Sequence, residues 1–323
     1  MPRSKGAAGA SALSRAARGT KTGPANAFSL SDAARGAEGI EADAASKLAP
    51  GLYLVATPIG NLADVTLRAL GVLHRADAVL CEDTRVTAKL LTRYGIAAAT
   101  QPYHDHNAER VRPAVLARLK AGAALALVSD AGTPLVSDPG YKLVRDALAD
   151  GIAVTVVPGA SAALTALLGS GLPPDRFLFA GFLPPKTAGR RKALDELKDV
   201  AATLVFFESA PRLAESLADM AAVLGPRPAA VARELTKLHE EVRRDDLAAL
   251  AAHYRTAGPP KGELVLVVGP PAPATASESD LDRALGVALA HKSLREAVDD
   301  VAAATGARRR QVYARALVLK GGR

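Results

Sequence analysis

Hydrophobic and polar positions alternate in blocks rather than singly from about position 51 onward. Runs at 52–56, 78–81, 125–128 and 154–157 are almost wholly apolar and only four or five residues long, the pattern of strands buried on both faces of a parallel sheet. Between them, 65–73, 87–94, 109–120 and 143–149 carry apolar residues at helical spacing, with Pro113 in the first turn of its helix or kinking it. Apolar strands alternating with amphipathic helices predict an α/β sheet covered on both sides. A second block has strands at 176–179, 203–207, 229–232 and 264–268, a basic helix start (Gly189, Arg190, Arg191, Lys192), and a helix with Leu213, Leu217 and Leu224 on one face. After a Pro/Ala/Thr/Ser stretch, Leu281, Leu285 and Leu289, then Leu294, Val298 and Val301, recur at helical spacing. Thr305-Gly306 separates them from the basic run RRRQVYARAL, and short helices with a glycine turn suggest a helix-turn-helix-like unit.

These patterns predict an α/β protein with two α/β domains, 49–165 and 166–271, a linker at 272–280 and a basic helical module at 281–323. Residues 1–48, Ala/Gly/Ser-rich without apolar periodicity, read as a disordered extension. The first thirty residues lack an acid, as in a transit peptide, but Asp32, Glu38, Glu41 and Asp43 favour a plain extension. No apolar run approaches the ~18 residues of a membrane span, so no membrane partner is expected. The single cysteine, Cys81, excludes an intrachain disulfide framework and any multi-cysteine zinc site, and fits a reducing, cytoplasmic setting. His104 and His106 read as a polar loop, and no metal is expected. The net charge of +8 points to a polyanionic partner. In the tail, the acids Asp280, Asp282, Glu296, Asp299 and Asp300 precede the basic run, a segregation that favours a nucleic-acid contact.

Each strand of the first block ends in an unusual turn: TPIGN, EDTR, SDAGTP and PGAS. Open α/β sheets place ligands at the carboxyl ends of their strands. The turn after 125–128 is the longest and holds two Asp-containing turns, Asp130-Ala-Gly and Asp138-Pro-Gly, the second read as the opening of the next helix. No nucleotide-triphosphate loop, dinucleotide fingerprint or serine elbow is present. Carboxylates and glycine-exposed backbone suit a neutral or cationic adenosine-type ligand better than a polyphosphate.

Nine segments in order carry a resemblance: ATPIGNL (56–62), CEDTR (81–85), HDHN (104–107), SDAGTP (129–134), VPGAS (157–161), GFLP (181–184), FFES (206–209), ARELTK (232–237) and KGE (261–263). Together they resemble the small-subunit ribosomal RNA methyltransferases that 2′-O-methylate a cytidine, a branch of the tetrapyrrole-methylase superfamily of S-adenosylmethionine (SAM) enzymes. The resemblance spans 52–268, and the basic tail is similar to that branch too. TPIGNL replaces the Gly-rich signature of the tetrapyrrole-acting branch.

The resemblance implies a homodimer with SAM in a cleft between the two domains, beside Pro58, Gly60, Asp130, Ala131, Gly132, Ser161 and Ala162. Across the cleft, Phe207, Ala232 and Gly262 complete the cofactor pocket. A ribose hydroxyl needs a base or a polarising cation. On the strand-end turns Glu82, Asp83, Glu208 and Glu234 are candidate acids, and Arg85 and Lys237 candidate cations. Glu208 or Glu234 is expected to take the proton, with Lys237 holding the hydroxyl or a phosphate; the competing reading makes each an ion pair that orders the cleft. Small-subunit ribosomal RNA, free or in the assembled small ribosomal subunit, is expected to be gripped by Lys186, Arg190, Arg191, Arg308, Arg309 and Arg310. Two rivals remain: a corrin-precursor methylase of the same fold, and a non-catalytic RNA-binding protein.

Overall fold

The computed structural model describes residues 47–272 and 278–321. The expected extension and transit reading therefore lie outside the described residues, apart from Lys47 and Leu48, and so does the middle of the expected linker.

In chain order the first half runs β1 (Gly51–Val55), α1 (Leu67–Arg75), β2 (Ala78–Cys81), α2 (Thr84–Arg93), β3 (Thr100–Pro102), α3 (Ala108–Lys120), β4 (Ala124–Val128), α4 (Tyr141–Ala149) and β5 (Val154–Val157). The five strands form one parallel sheet in the order β3-β2-β4-β1-β5. The strands β1, β2 and β4 are buried at every position, because α1 and α2 cover one face and α3 and α4 the other. Helix starts follow local chemistry: the Thr66 hydroxyl accepts from the Ala69 N–H, and the Asp83 carboxylate from the Arg85 N–H. Pro113 sits inside α3, past its first turn, and the helix continues through it.

The strand order positions the site. The chain leaves β1 toward β2, on the β4 side, whereas it leaves β4 over β1 toward β5. Connections thus part in opposite directions between β1 and β4, and that crevice is where an open α/β sheet accepts a ligand.

The helix α5 (Ala162–Ser170) follows, and then β6 (Phe177–Phe182), α6 (Thr187–Leu197), β7 (Thr203–Glu208), α7 (Leu213–Leu224), β8 (Pro228–Arg233), β9 (Glu241–Asp246), α8 (Leu247–Ala257) and β10 (Leu264–Val268). This second sheet, ordered β6-β7-β10-β8-β9, is antiparallel except for β6 and β7. The helix α5 lays Ala163, Ala166 and Leu167 on Val205, Ala230, Ala232, Val265 and Val267 of that sheet, and Ile59 from the first sheet's edge joins the same cluster. One apolar helix therefore ties the two sheets together.

The final helices, α9 (Glu278–Leu289), α10 (Leu294–Thr305) and α11 (Arg309–Gly321), bury Leu281, Leu285, Val298, Val301, Val312 and Ala316 in a core of their own. A capping box between Ser293 and Glu296 opens α10, and Gly306 in the left-handed region closes it.

Candidate active site

The turn after β1 and the loop after β4 are joined by a short antiparallel bridge. The Thr57 N–H donates to the Gly132 carbonyl at 2.9 Å, the Gly132 N–H donates back at 3.1 Å, and the Thr57 hydroxyl donates to the Ser129 carbonyl. At Gly132 φ is +82°, and a Cβ there would stand 3.2 Å from the Ile59 Cγ2, so glycine lets the two turns close on one another. In front of this pair lies a cavity of about 530 Å³, within the range of small-molecule sites. Its other walls are the start of α5, the ends of β6, β7 and β8, and the start of β10.

Eight of the ten cofactor candidates line this cavity: Asp130, Ala131, Gly132, Ser161, Ala162, Phe207, Ala232 and Gly262. Pro58 and Gly60 do not; Ile59 between them does. Gly60 serves instead as the seat for Lys237, whose Cγ a Cβ at Gly60 would meet at 2.5 Å. Phe207 stands edge-on to Phe179 and Phe182, at centroid distances of 4.8 and 5.6 Å, and with Leu235 and Val265 makes an apolar shelf. Sequence reasoning missed Thr133, Val136, Ser137, Asp138 and Leu235 as lining residues. The available signal for the first four was the length of the loop that carries them.

The candidate catalytic groups are held in ion pairs and hydrogen bonds. Glu208 lines the cavity but is buried, and its carboxylate accepts from the Ser216 hydroxyl at 2.5 Å and the Ser209 N–H at 2.7 Å, with Arg212 at 3.3 Å. It fixes the turn after β7. Glu234 and Lys237 pair with each other at 2.8 Å, Lys237 also reaches Glu263 at 3.0 Å, and the Glu234 carboxylate accepts the Glu263 N–H. The Lys237 ammonium and that N–H hold the Glu234 carboxyl below the usual range, the wrong direction for a base. Both Glu234 and Thr236 have positive φ, 49° and 66°, so the ion pair pins a strained loop. Arg85 is exposed, forked onto Asp83 at 2.6 Å, and lies off the cavity; that pairing pulls the Asp83 carboxyl down to about 2.

Of the RNA candidates, Lys186 is exposed at the start of α6. Arg190 is a correction: it is 1% exposed, and its guanidinium binds Asp219 at 2.6 Å, the Pro185 carbonyl and the Thr187 hydroxyl. A buried, fully engaged arginine does not present itself to a phosphate. Arg191 is exposed but also held by Asp219, at 2.7 Å. In the helical module the charge that was segregated in sequence is paired in space: Arg309 with Asp299, Arg315 with Asp282, Lys292 with Asp300. Arg308 and Arg310 are exposed and form no salt bridge among the described residues.

Known proteins match this chain in sequence and in fold. The profile of the tetrapyrrole (corrin/porphyrin) methylases covers residues 51–251. The chain belongs to the tetrapyrrole methylase family. A second profile, the RsmI C-terminal HTH domain, covers residues 275–320. Among curated members, ribosomal RNA small subunit methyltransferase I of Mesorhizobium japonicum is 54% identical over 85% of this chain and 94% of its own length. The proteins of that name from Erythrobacter litoralis (54%; 86% and 98%) and Escherichia coli O157:H7 (45%; 84% and 96%) match at similar extent. Among solved tetrapyrrole methylase structures, uroporphyrin-III-C-methyltransferase from Thermus thermophilus superposes with a TM-score of 0.51 at 25% identity, over 68% of this chain and 94% of its own. Cobalt precorrin-4 methyltransferase does so with the same score and coverage at 20% identity, a likeness of fold. The tetrapyrrole methylase fold thus occupies both sheets.

Proposed function

We propose that this chain transfers a methyl group from SAM to a cytidine ribose 2′-hydroxyl of small-subunit ribosomal RNA. The observation that carries the reading is the pairing of a tetrapyrrole methylase cavity with a basic C-terminal helical module, at 54% identity to ribosomal RNA small subunit methyltransferase I along nearly that protein's whole length.

The residues present fit SAM. The apolar shelf of Phe207, Leu235 and Val265 suits an adenine face, and Gly132 and Gly262 leave backbone bare where a side chain would fill space. The acids Asp130 and Asp138 on the facing loop complement a cationic ligand. When bound, SAM supplies an activated methyl on a sulfonium. The protein's part is then to hold the ribose in line, exclude water and remove one proton.

Supplying methyl-labelled SAM to small ribosomal subunits, naked ribosomal RNA or a corrin precursor tests this. Label on a cytidine 2′-oxygen of ribosomal RNA is the expected result, and label on the corrin alone would overturn it. Capture of the RNA is assigned to Lys186, Arg308 and Arg310. Replacing Arg308 and Arg310 by alanine should weaken subunit binding about tenfold at low salt and leave SAM affinity unchanged by calorimetry; unchanged subunit affinity would count against the tail. The protein works as a homodimer in the cytoplasm. Support for the dimer is the exposure of Leu164 and Leu168 on α5, with Val156 on the edge strand β5 and Phe177 on the edge strand β6; equilibrium sedimentation is the check.

A further inference from the structure

We propose that Asp138 is the general base of this reaction, accepting the proton of the ribose hydroxyl as its oxygen is methylated. The inference rests on the ribose-hydroxyl reading above.

Four carboxylates line the cavity: Asp130, Asp138, Glu208 and Glu263. Glu208 is enclosed by the Ser216 hydroxyl and the Ser209 N–H. Glu263 points largely to solvent and is neutralised by Lys237. The Asp130 Oδ1 accepts the Asp83 N–H at 3.0 Å, which fastens the turn after β2 to the loop after β4. Asp138 is half-buried and, alone of the four, meets neither a cation nor a backbone N–H among the described residues; it lies two residues before the Gly140 that caps α4. The charges that act on it are those of three further acids, Glu82 on the turn after β2, Asp105 after β3, and Asp130, with the Ser129 hydroxyl beside it opposing them. Burial first, and then the Glu82 charge, push the Asp138 carboxyl up to about 6, which suits a base working near neutral pH.

The backbone points the same way. Leu135 and Ser137 are held at φ 73° and 64°, and Gly140, at φ 127°, leaves space that a Cβ would take from Leu135 and Leu127 at 2.6 and 2.8 Å. A plain strand-to-helix turn needs no such conformations, and non-glycine residues held there cluster at working sites. The Asp138-Pro-Gly turn therefore does more than open α4.

In the step itself, the hydroxyl oxygen forms its new bond to the methyl carbon while its proton passes to the Asp138 carboxylate. The carbon–sulfur bond breaks with its electron pair returning to sulfur, which ends neutral, and Asp138 later gives its proton to water. No other reactant is needed.

The test compares wild type, Asp138→Asn and Glu82→Gln on small ribosomal subunits, and titrates the ligand-free proteins by carbon-13 carboxyl NMR. Wild-type transfer should rise about tenfold per pH unit below about pH 6 and level off above it. Asp138→Asn should lose about a hundredfold or more at pH 8, without the acidic limb and with SAM affinity intact by calorimetry. Glu82→Gln, which keeps the base and removes a like charge, should move the limb to lower pH. In the ligand-free wild type one aspartate should titrate near 6, and its signal should vanish in Asp138→Asn and shift down in Glu82→Gln. Near-wild-type turnover of Asp138→Asn, or no carboxyl titrating near 6, overturns the inference. If Asp138→Asn does not fold, an unmoved limb in Glu82→Gln overturns it. A wild type that labels no ribose removes the ribose reading and this inference together, an outcome distinct from an active wild type indifferent to Asp138.

Discussion

Arg190→Ala is expected to destabilise the protein by about 3–5 kcal/mol, because it empties a buried guanidinium site and leaves the buried Asp219 carboxylate with the exposed Arg191 as its remaining partner. Arg190 and Asp219 are 1% and 5% exposed and meet at 2.6 Å, inside the layer where α6 packs on α7. Removing the guanidinium also breaks its hydrogen bonds to the Pro185 carbonyl and the Thr187 hydroxyl. Arg191→Ala touches the same carboxylate from an exposed position and should lose less than about 1 kcal/mol. Urea unfolding, with a midpoint read for each variant, measures both. A double variant, Arg190→Met with Asp219→Leu, should recover much of the loss, since neither charge is then left alone. If Arg190→Ala unfolds like wild type but binds RNA more weakly, this residue is the phosphate ligand that its sequence neighbours suggest.

Gly262→Ala should lower SAM affinity by about tenfold or more. At Gly262 φ is +101°, and a Cβ there would stand 2.3 Å from the Glu234 Oε1. Adopting a left-handed backbone costs an L-residue roughly 1–2 kcal/mol, and relieving such a contact costs typically 1–3 kcal/mol more. The strain falls on Glu234, whose carboxylate holds the Glu263 N–H and Lys237, so the cavity wall from Gly262 to Val265 must move. Each 1.4 kcal/mol expressed at the site is a factor of ten in affinity. Calorimetric titration decides it, and an affinity within twofold of wild type would mean that the wall adjusts elsewhere.

Much of the fold was legible because continuous apolar runs have few alternatives. The predicted strands 78–81, 154–157 and 264–268 are β2, β5 and β10. Two of the elements that escaped notice, besides β3 and α8, have plain physical causes. The strand β9 reads EVRRDD, a charged edge that advertises no core. The helix α5 reads AALTALLGS, apolar all round, so periodicity had nothing to register. The cavity was legible to the extent that backbone shape makes it: Asp130, Gly132, Ser161 and Gly262 stand out as turn residues. What a charged side chain does there was not legible, because pairing is decided in three dimensions. Glu234 and Lys237 look like acid and cation for a substrate until they are found holding one another. Asp138 looks like a turn residue until its neighbours prove to be acids.

The bridge between Thr57 and Gly132 carries a consequence for how a ligand meets this protein. The turn after β1 and the loop after β4 are joined, by a reciprocal pair of amide bonds, into a single clasp that folding assembles in advance. An incoming ligand therefore need not freeze either loop, and its residence is governed by what it touches rather than by what it must first put in order.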